Sequence, residues 1–307
     1  LRKASKYFII NTSTKLKFMN LKTIVWSALA TVSILSCSTQ KGAVDSDEPK
    51  AIQLFNGKDI KNWTPKIRNY ETGVNFGNTF RVEDGMMKVR YDQYDDFNFR
   101  YGHIAYNTPY SYYVLRVEYR FVGEQPKGGE GWAWRNSGAM LHGQDPKTMW
   151  KDQNFPISIE AQFLGGDNDP NSVRTTSNLC TPGTHVVMND KLFTPHCINA
   201  KSKTYHGDQW VTADFVVLGD SVIRHVLEGE TVIEYSKPTI GGDMVEGHNP
   251  AVKQDGKAIT GGYIYLQSES HPIDFRKVEL YDLEKYKKQP QKLDGIIQKI
   301  LQTKGSN

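Results

Sequence analysis

Two neighbouring stretches decide the fold: GWAWRNSGAMLHG (residues 131–143) and FPISIEAQFLGG (residues 155–166). In the second, Ile157, Ile159, Ala161 and Phe163 alternate with Ser158, Glu160 and Gln162, the period-2 pattern of a strand with one buried face. In the first, Asn136, Gly138, Met140 and His142 share a face, and Ser137, Ala139 and Leu141 share the other. A third run, YIYLQSE (residues 263–269), sets Tyr263, Tyr265, Gln267 and Glu269 against Ile264 and Leu266. If the three lie in one sheet, Asn136, His142, Glu160, Gln162, Gln267 and Glu269 line one concave polar floor.

The remaining chain reads as a frame for that floor. Residues 51–63 give a short strand, an Asn-Gly turn and Trp63, and residues 79–89 give a hairpin with Asp84-Gly85 at its turn. In residues 112–121, Leu115, Val117, Tyr119 and Phe121 alternate with Arg116, Glu118 and Arg120, a half-buried antiparallel strand. Val211, Ala213, Phe215 and Val217 form another apolar face, and residues 221–227 and 231–235 pair across Glu228-Gly229-Glu230. Strands over 262–269 and 275–283 close the domain. Residues 51–283 carry no sustained helical period, so the chain is predicted to be all-β, a sandwich of two antiparallel sheets. The tail, residues 284–307, has Leu293, Ile296, Ile297, Ile300 and Leu301 at helical spacing with lysines opposite, which predicts a helix packed on the domain edge.

At 307 residues the chain has room for one large β domain. A net charge of +4, dispersed except near the C-terminus, gives no nucleic-acid footprint. Near the N-terminus, Met19 and Lys22 precede an apolar run, residues 23–35, shorter than the roughly 20 residues of a membrane span. It ends in Ile34-Leu35-Ser36-Cys37, similar to a lipobox. The expectation is a lipoprotein signal over 19–36, lipidation of Cys37, a flexible tether over 37–50 and an over-extended start over 1–18. The protein is then a cell-envelope lipoprotein, periplasmic or on the outer-membrane surface, touching the membrane only through Cys37.

Cys180 and Cys197 remain, and in an exported chain they read as a disulfide. A metal reading with His185 and His196 competes, but the spacing fits no compact zinc pattern. The loop that holds them, residues 167–200, exceeds 30 residues and is expected to be functional, stapled or both. Asp167 and Asp169 offer hard oxygen ligands without completing a calcium loop. A divalent cation, Ca²⁺ or a transition metal, is therefore a candidate cofactor, and none is required by the pattern.

LFNGKDIKNW, FRVEDGMMKV, RNSGAMLH, SIEAQ, HGDQW, ITGGYIYLQSES and DFRKVELYDL occur in this order over residues 51–283. Together they resemble the 3-keto-disaccharide hydrolase family, also described as 3-keto-glucoside 1,2-lyase/hydratase domains. The resemblance implies a concanavalin-like jelly roll acting on glycosides already oxidised to a ketone at C3. Members often carry Arg where this chain has His142, which would alter charge on the floor.

A C3 ketone acidifies the C2 proton, so a base removes it, the C1 substituent leaves by β-elimination, and water adds back. This chemistry needs a base, donors or a metal for the enolate oxygen, and an acid for the leaving oxygen. Glu160 and His142 lead as acid/base candidates, followed by Glu269 and His271. Gln162, Gln267 and Asn136 are candidates for holding hydroxyls or the ketone, and Arg135 for the oxyanion. Each polar residue has a plain alternative: a strand Glu is usually a solvated charge, His142 can cap a loop, and His206 and Trp210 fit structural roles. Two other functions stay open. A carbohydrate-binding module would use Trp132, Trp134, Tyr263 and Tyr265 as stacking plates. A jelly-roll glycosidase would need two carboxylates, and no single strand here presents them.

Overall fold

A computed structural model describes residues 48–303; the signal, Cys37 and nearly all of the tether expected from the sequence lie outside these residues. Two antiparallel sheets face each other. One has ten strands, with Tyr112–Phe121, Val211–Leu218 and Ile273–Asp282 at its centre. The other has seven, ordered Cys197–Ile198, Asn178–Cys180, Ile159–Leu164, Asn136–Gly143, Tyr263–Ser268, Gly102–Tyr106 and Trp63–Ile67. This is a jelly-roll sandwich, and the three strands singled out from the sequence are adjacent in it.

The alternation explains the core. Leu115, Val117, Tyr119 and Phe121 of one sheet meet Ala139, Leu141, Ile159, Ala161, Phe163, Ile264 and Leu266 of the other, all buried in one cluster. The tight turns use left-handed residues as expected, Asp84 (φ 54°) with Gly85 (φ 72°) and Glu228 (φ 53°) with Gly229 (φ 84°). The long loop is more ordered than its composition suggests. It contributes Asn178–Cys180, Thr184–Met188, Lys191–Phe193 and Cys197–Ile198, strands of two to five residues that are too short to show a period.

The tail forms the helix Pro290–Gln302. Its Leu293, Ile296, Ile297 and Ile300 pack on Val114, Val216, Leu218 and Val226, the outward side chains of the ten-stranded sheet. Arg116 binds both Asp214 oxygens at 2.6 and 3.1 Å and donates to the Ile300 and Thr303 carbonyls at 3.0 and 2.7 Å. The last turn of the helix is thereby capped by a charge held inside an ion pair.

Candidate active site

The outer face of the seven-stranded sheet carries a cavity of about 680 Å³. The register places its floor in rows. Gln267, Gly138, Gln162 and Asn178 lie side by side across four strands, and the next row runs Tyr265, Met140, Glu160, Cys180. Glu160 and Glu269 both line the cavity, although they are only 5% and 4% exposed, and Asn136 and Gln162 line it with them.

These floor groups are short of partners. Glu160 Oε1, Glu269 Oε2, Asn136 Oδ1 and both amide atoms of Gln267 are buried without a hydrogen bond, whereas buried polar atoms normally find one. Burial pushes the Glu160 carboxyl up to about 8, opposed by the neighbouring Gln267 amide. Glu269 is raised well above the usual carboxylate range, first by burial and then by the charges of Glu160 and Glu130. Two carboxyls thus share one buried site and resist ionising together.

The sequence placed several candidates here that the structure puts elsewhere. His142 does not reach the floor. Met140 pairs with Tyr265 but Gly143 pairs with Tyr263, so the strand carries an extra residue, and His142 takes up a left-handed φ of 51°. The bulge turns the ring inward, where Nε2 donates to the Gly219 carbonyl at 2.9 Å and the ring meets Tyr113 edge-on. The expected change of floor charge from Arg to His at this position therefore does not arise. His271 is fully buried between Phe121 and Trp134, off the cavity wall. Arg135 is spent on the Gly207 carbonyl and on Asp208 at 2.8 Å, and its guanidinium lies over Trp134. Trp134 is thereby wedged among Arg135, Arg174 and His271 and offers no free plate. Tyr265 lies under the loop, its hydroxyl donating to the Gln144 carbonyl at 2.5 Å, packed with Met140 and Met149. Trp210 is held between Arg120 and Arg276. Trp132, by contrast, is on the cavity wall and 54% exposed.

Cys180 and Cys197 are bonded and form part of the same wall. Among the described residues, the one gathered set of metal-type ligands is Cys180, His196 and Cys197, and two of its three members are consumed by that disulfide. The carboxylates of Asp167 and Asp169 accept from backbone amides two residues on, at 2.9 Å each, which stabilises a turn.

Other residues at the site carried little signal in the sequence. Gly138 has no side chain to alternate. Phe99 and Glu130 sit in loops without period. His103 could have been found, because its strand puts it with Ala105 on the floor face, beside Gln267; both its ring nitrogens lack partners, and burial holds the ring neutral with a pKa of about 3.

Residues 50–281 match the family model for the 3-keto-alpha-glucoside-1,2-lyase-like domain. The chain belongs to this 3-keto-alpha-glucoside-1,2-lyase-like family, and its role is a carbohydrate-active one. The lyase-like domain therefore spans both sheets and every floor residue described above. A search of curated proteins finds no match. Among solved structures, a Parabacteroides distasonis protein provisionally named a glycosyl hydrolase is similar at 22% identity and TM-score 0.46, over 76% of this chain and 94% of that one. The carbohydrate-binding module CBM66 of Bacillus subtilis (10%, TM-score 0.39) aligns over 73% of this chain and 97% of its own. A Bacillus licheniformis β-glucanase (10%, TM-score 0.39) aligns over 77% and 99%.

Proposed function

We propose that the protein is an enzyme that cleaves 3-keto-glycosides by removing the C2 proton and expelling the C1 substituent, with water then adding at C1. The observation that carries this reading is the pair Glu160 and Glu269, two buried carboxyls that line one cavity and are both raised by burial. Glu269 faces the charge of Glu130 as well as that of Glu160, and the proton-accepting role is assigned to Glu160. Glu160 is then the base and Glu269 the acid, a division of labour set by environment.

In the first step Glu160 takes the proton from C2 and the electron pair moves toward the C3 oxygen. The Gln267 amide, beside the Glu160 carboxyl, is placed to donate to that developing charge. As the C1–O bond breaks, Glu269 protonates the leaving oxygen, and a C1=C2 bond conjugated with the ketone remains. In the second step the roles reverse: Glu269 deprotonates the water that adds to C1, and Glu160 returns a proton to C2. Asn136 Oδ1 is an acceptor for a sugar hydroxyl.

A glycosidase is the second reading, because the two carboxyls that no single strand presents are brought together from two strands. One experiment separates the two: aglycone release from 3-keto-glycosides and from their unoxidised parents, with wild type and Glu160→Gln. Release from the keto substrates only, reduced at least about 100-fold in the variant, supports elimination. Cleavage of the unoxidised parents at a comparable rate would establish the glycosidase instead.

The cell-envelope location is also a proposal, resting on the Leu35-Ser36-Cys37 run. Incorporation of labelled fatty acid into wild type but not into Cys37→Ala tests it.

A further inference from the structure

The cavity, about 680 Å³, is larger than one sugar ring fills, and its mouth differs in chemistry from its floor. Phe99, Trp132 and Met244 line it with 52%, 54% and 47% of their surfaces exposed. They are three of the large apolar side chains that the described surface leaves in water, and they converge on one opening. Beneath them Tyr101 links the set, its ring 6.5 Å from Phe99, 6.2 Å from Trp132 and stacked on Phe155 at 5.2 Å. Apolar groups gathered like this at a cavity mouth mark a binding surface.

The backbone adds an independent observation. Asn98 and Phe99 both lie in the left-handed region, at φ 48° and 54°. For a bulky aromatic residue this is an outlier, and strained residues cluster where the strain serves a site. Here the strain holds a phenyl ring out in solvent at the cavity mouth, instead of letting it fold away.

Two polar groups near these rings are already engaged. The Tyr101 hydroxyl donates to Glu130, and Arg68 pairs with Glu246 at 2.9 Å. The unpartnered atoms of Glu160, Glu269, Asn136 and Gln267 lie at the other end, on the floor. The mouth therefore has apolar surface to offer and few free partners for hydroxyl groups.

We propose that Phe99, Trp132 and Met244 form a leaving-group subsite for flat aromatic aglycones. Substrates would then be aryl glycosides oxidised at C3, with the sugar on the carboxyl floor and the aryl group between the rings and the methionine thioether. This rests on the proposed function for the identity of the sugar end, but the apolar subsite itself is testable without turnover.

The test uses the full chain, wild type, Phe99→Ala and Trp132→Ala, with matched phenyl and methyl 3-keto-glucosides and a 3-keto-disaccharide. Because phenol leaves more easily than methanol, the informative quantity is the effect of each variant on each substrate. The expected result is a fall in kcat/KM of roughly tenfold for the phenyl substrate and less than about threefold for the other two. Calorimetric binding of phenyl and methyl β-glucosides supplies a second measurement: phenyl should bind roughly tenfold tighter, with the difference lost in Trp132→Ala. Equal losses on all three substrates, or equal affinities for the two glucosides, overturn the proposal. An effect confined to the disaccharide also overturns it, by making the occupant a second sugar. If no keto substrate is turned over, the proposed reaction fails, and the binding comparison still decides the subsite.

Discussion

Gly138 lies directly beneath Glu160: a Cβ built on it would stand 2.9 Å from Oε1 and 3.0 Å from Cγ of that side chain. The glycine lets the Glu160 carboxyl fold across the floor toward the row that holds Gln267. Gly138→Ala is expected to displace the carboxyl by several tenths of an ångström or more and to lower kcat by about 10- to 100-fold, since small misplacements of a reacting group are costly. Circular dichroism and the urea midpoint should move little by comparison. Unchanged kcat in a folded Gly138→Ala protein would refute a positioning role for Gly138.

The pH profile of kcat/KM follows from the two carboxyls. A base must be ionised, so activity should rise with pH as Glu160 loses its proton, with the ascending limb near pH 8. It should fall again where Glu269, raised further, ionises as well. The limbs belong to the coupled pair rather than to either residue alone. Glu269→Gln should abolish the descending limb and, by removing a like charge, ease ionisation of Glu160. A profile that is flat from pH 6 to 9 would count against the pair.

The same burial predicts a stability trend of definite sign. A carboxyl raised from its ordinary value near 4.5 to about 8 binds its proton more tightly in the folded state. Between those values the native protein holds more protons than the unfolded chain, so stability declines as pH rises. At about 1.4 kcal/mol per unit, Glu160 alone accounts for a few kcal/mol between pH 5 and pH 8. Urea unfolding of wild type and Glu160→Gln at both values checks this: the variant should lose less stability over that interval, the remainder coming from Glu269.

Replacing Cys180 and Cys197 with serine opens a link with a sequence separation of 17 residues. The expected cost is about 2–4 kcal/mol, read as a lower urea midpoint. Because Cys180 is the cross-strand neighbour of Glu160, the double variant should also weaken binding of glycosides. Wild type under reducing conditions should behave as the variant does.

Most of the frame was legible in the sequence because strand alternation reports burial directly. Residues 112–121 read correctly as a strand, although the structure buries Arg116 and Glu118 on the face expected to be solvated, and residues 155–163 read correctly with Glu160 and Gln162 on the face that became the floor. The tail helix was legible from the spacing of Leu293, Ile296 and Ile300. The alternation rule fails where the backbone departs from two residues per repeat, which is why His142 was assigned to the wrong face: the bulge between Met140 and Gly143 leaves no mark in composition. Arg135 and Trp134 sit at a strand entrance, where Arg135 has a φ of 44° and alternation does not extend. Alternation put Glu160 and Glu269 on one floor, but that they face each other across Asn136–Gly143 is set by the strand order, which alternation within a strand does not give. The aromatic mouth lies in loops, where position is set by tertiary contacts.

The helix capped by Arg116 has a consequence for orientation. Lys299 on that helix pairs with Glu48, and Ala51–Gln53 adds to the ten-stranded sheet beside Ile273–Asp282. Both ends of the described chain therefore leave from the back of the sandwich, while the cavity opens on the front. The two faces of the sandwich are thereby divided: the ten-stranded sheet carries the helix and the ends of the described residues, and the seven-stranded sheet carries the cavity.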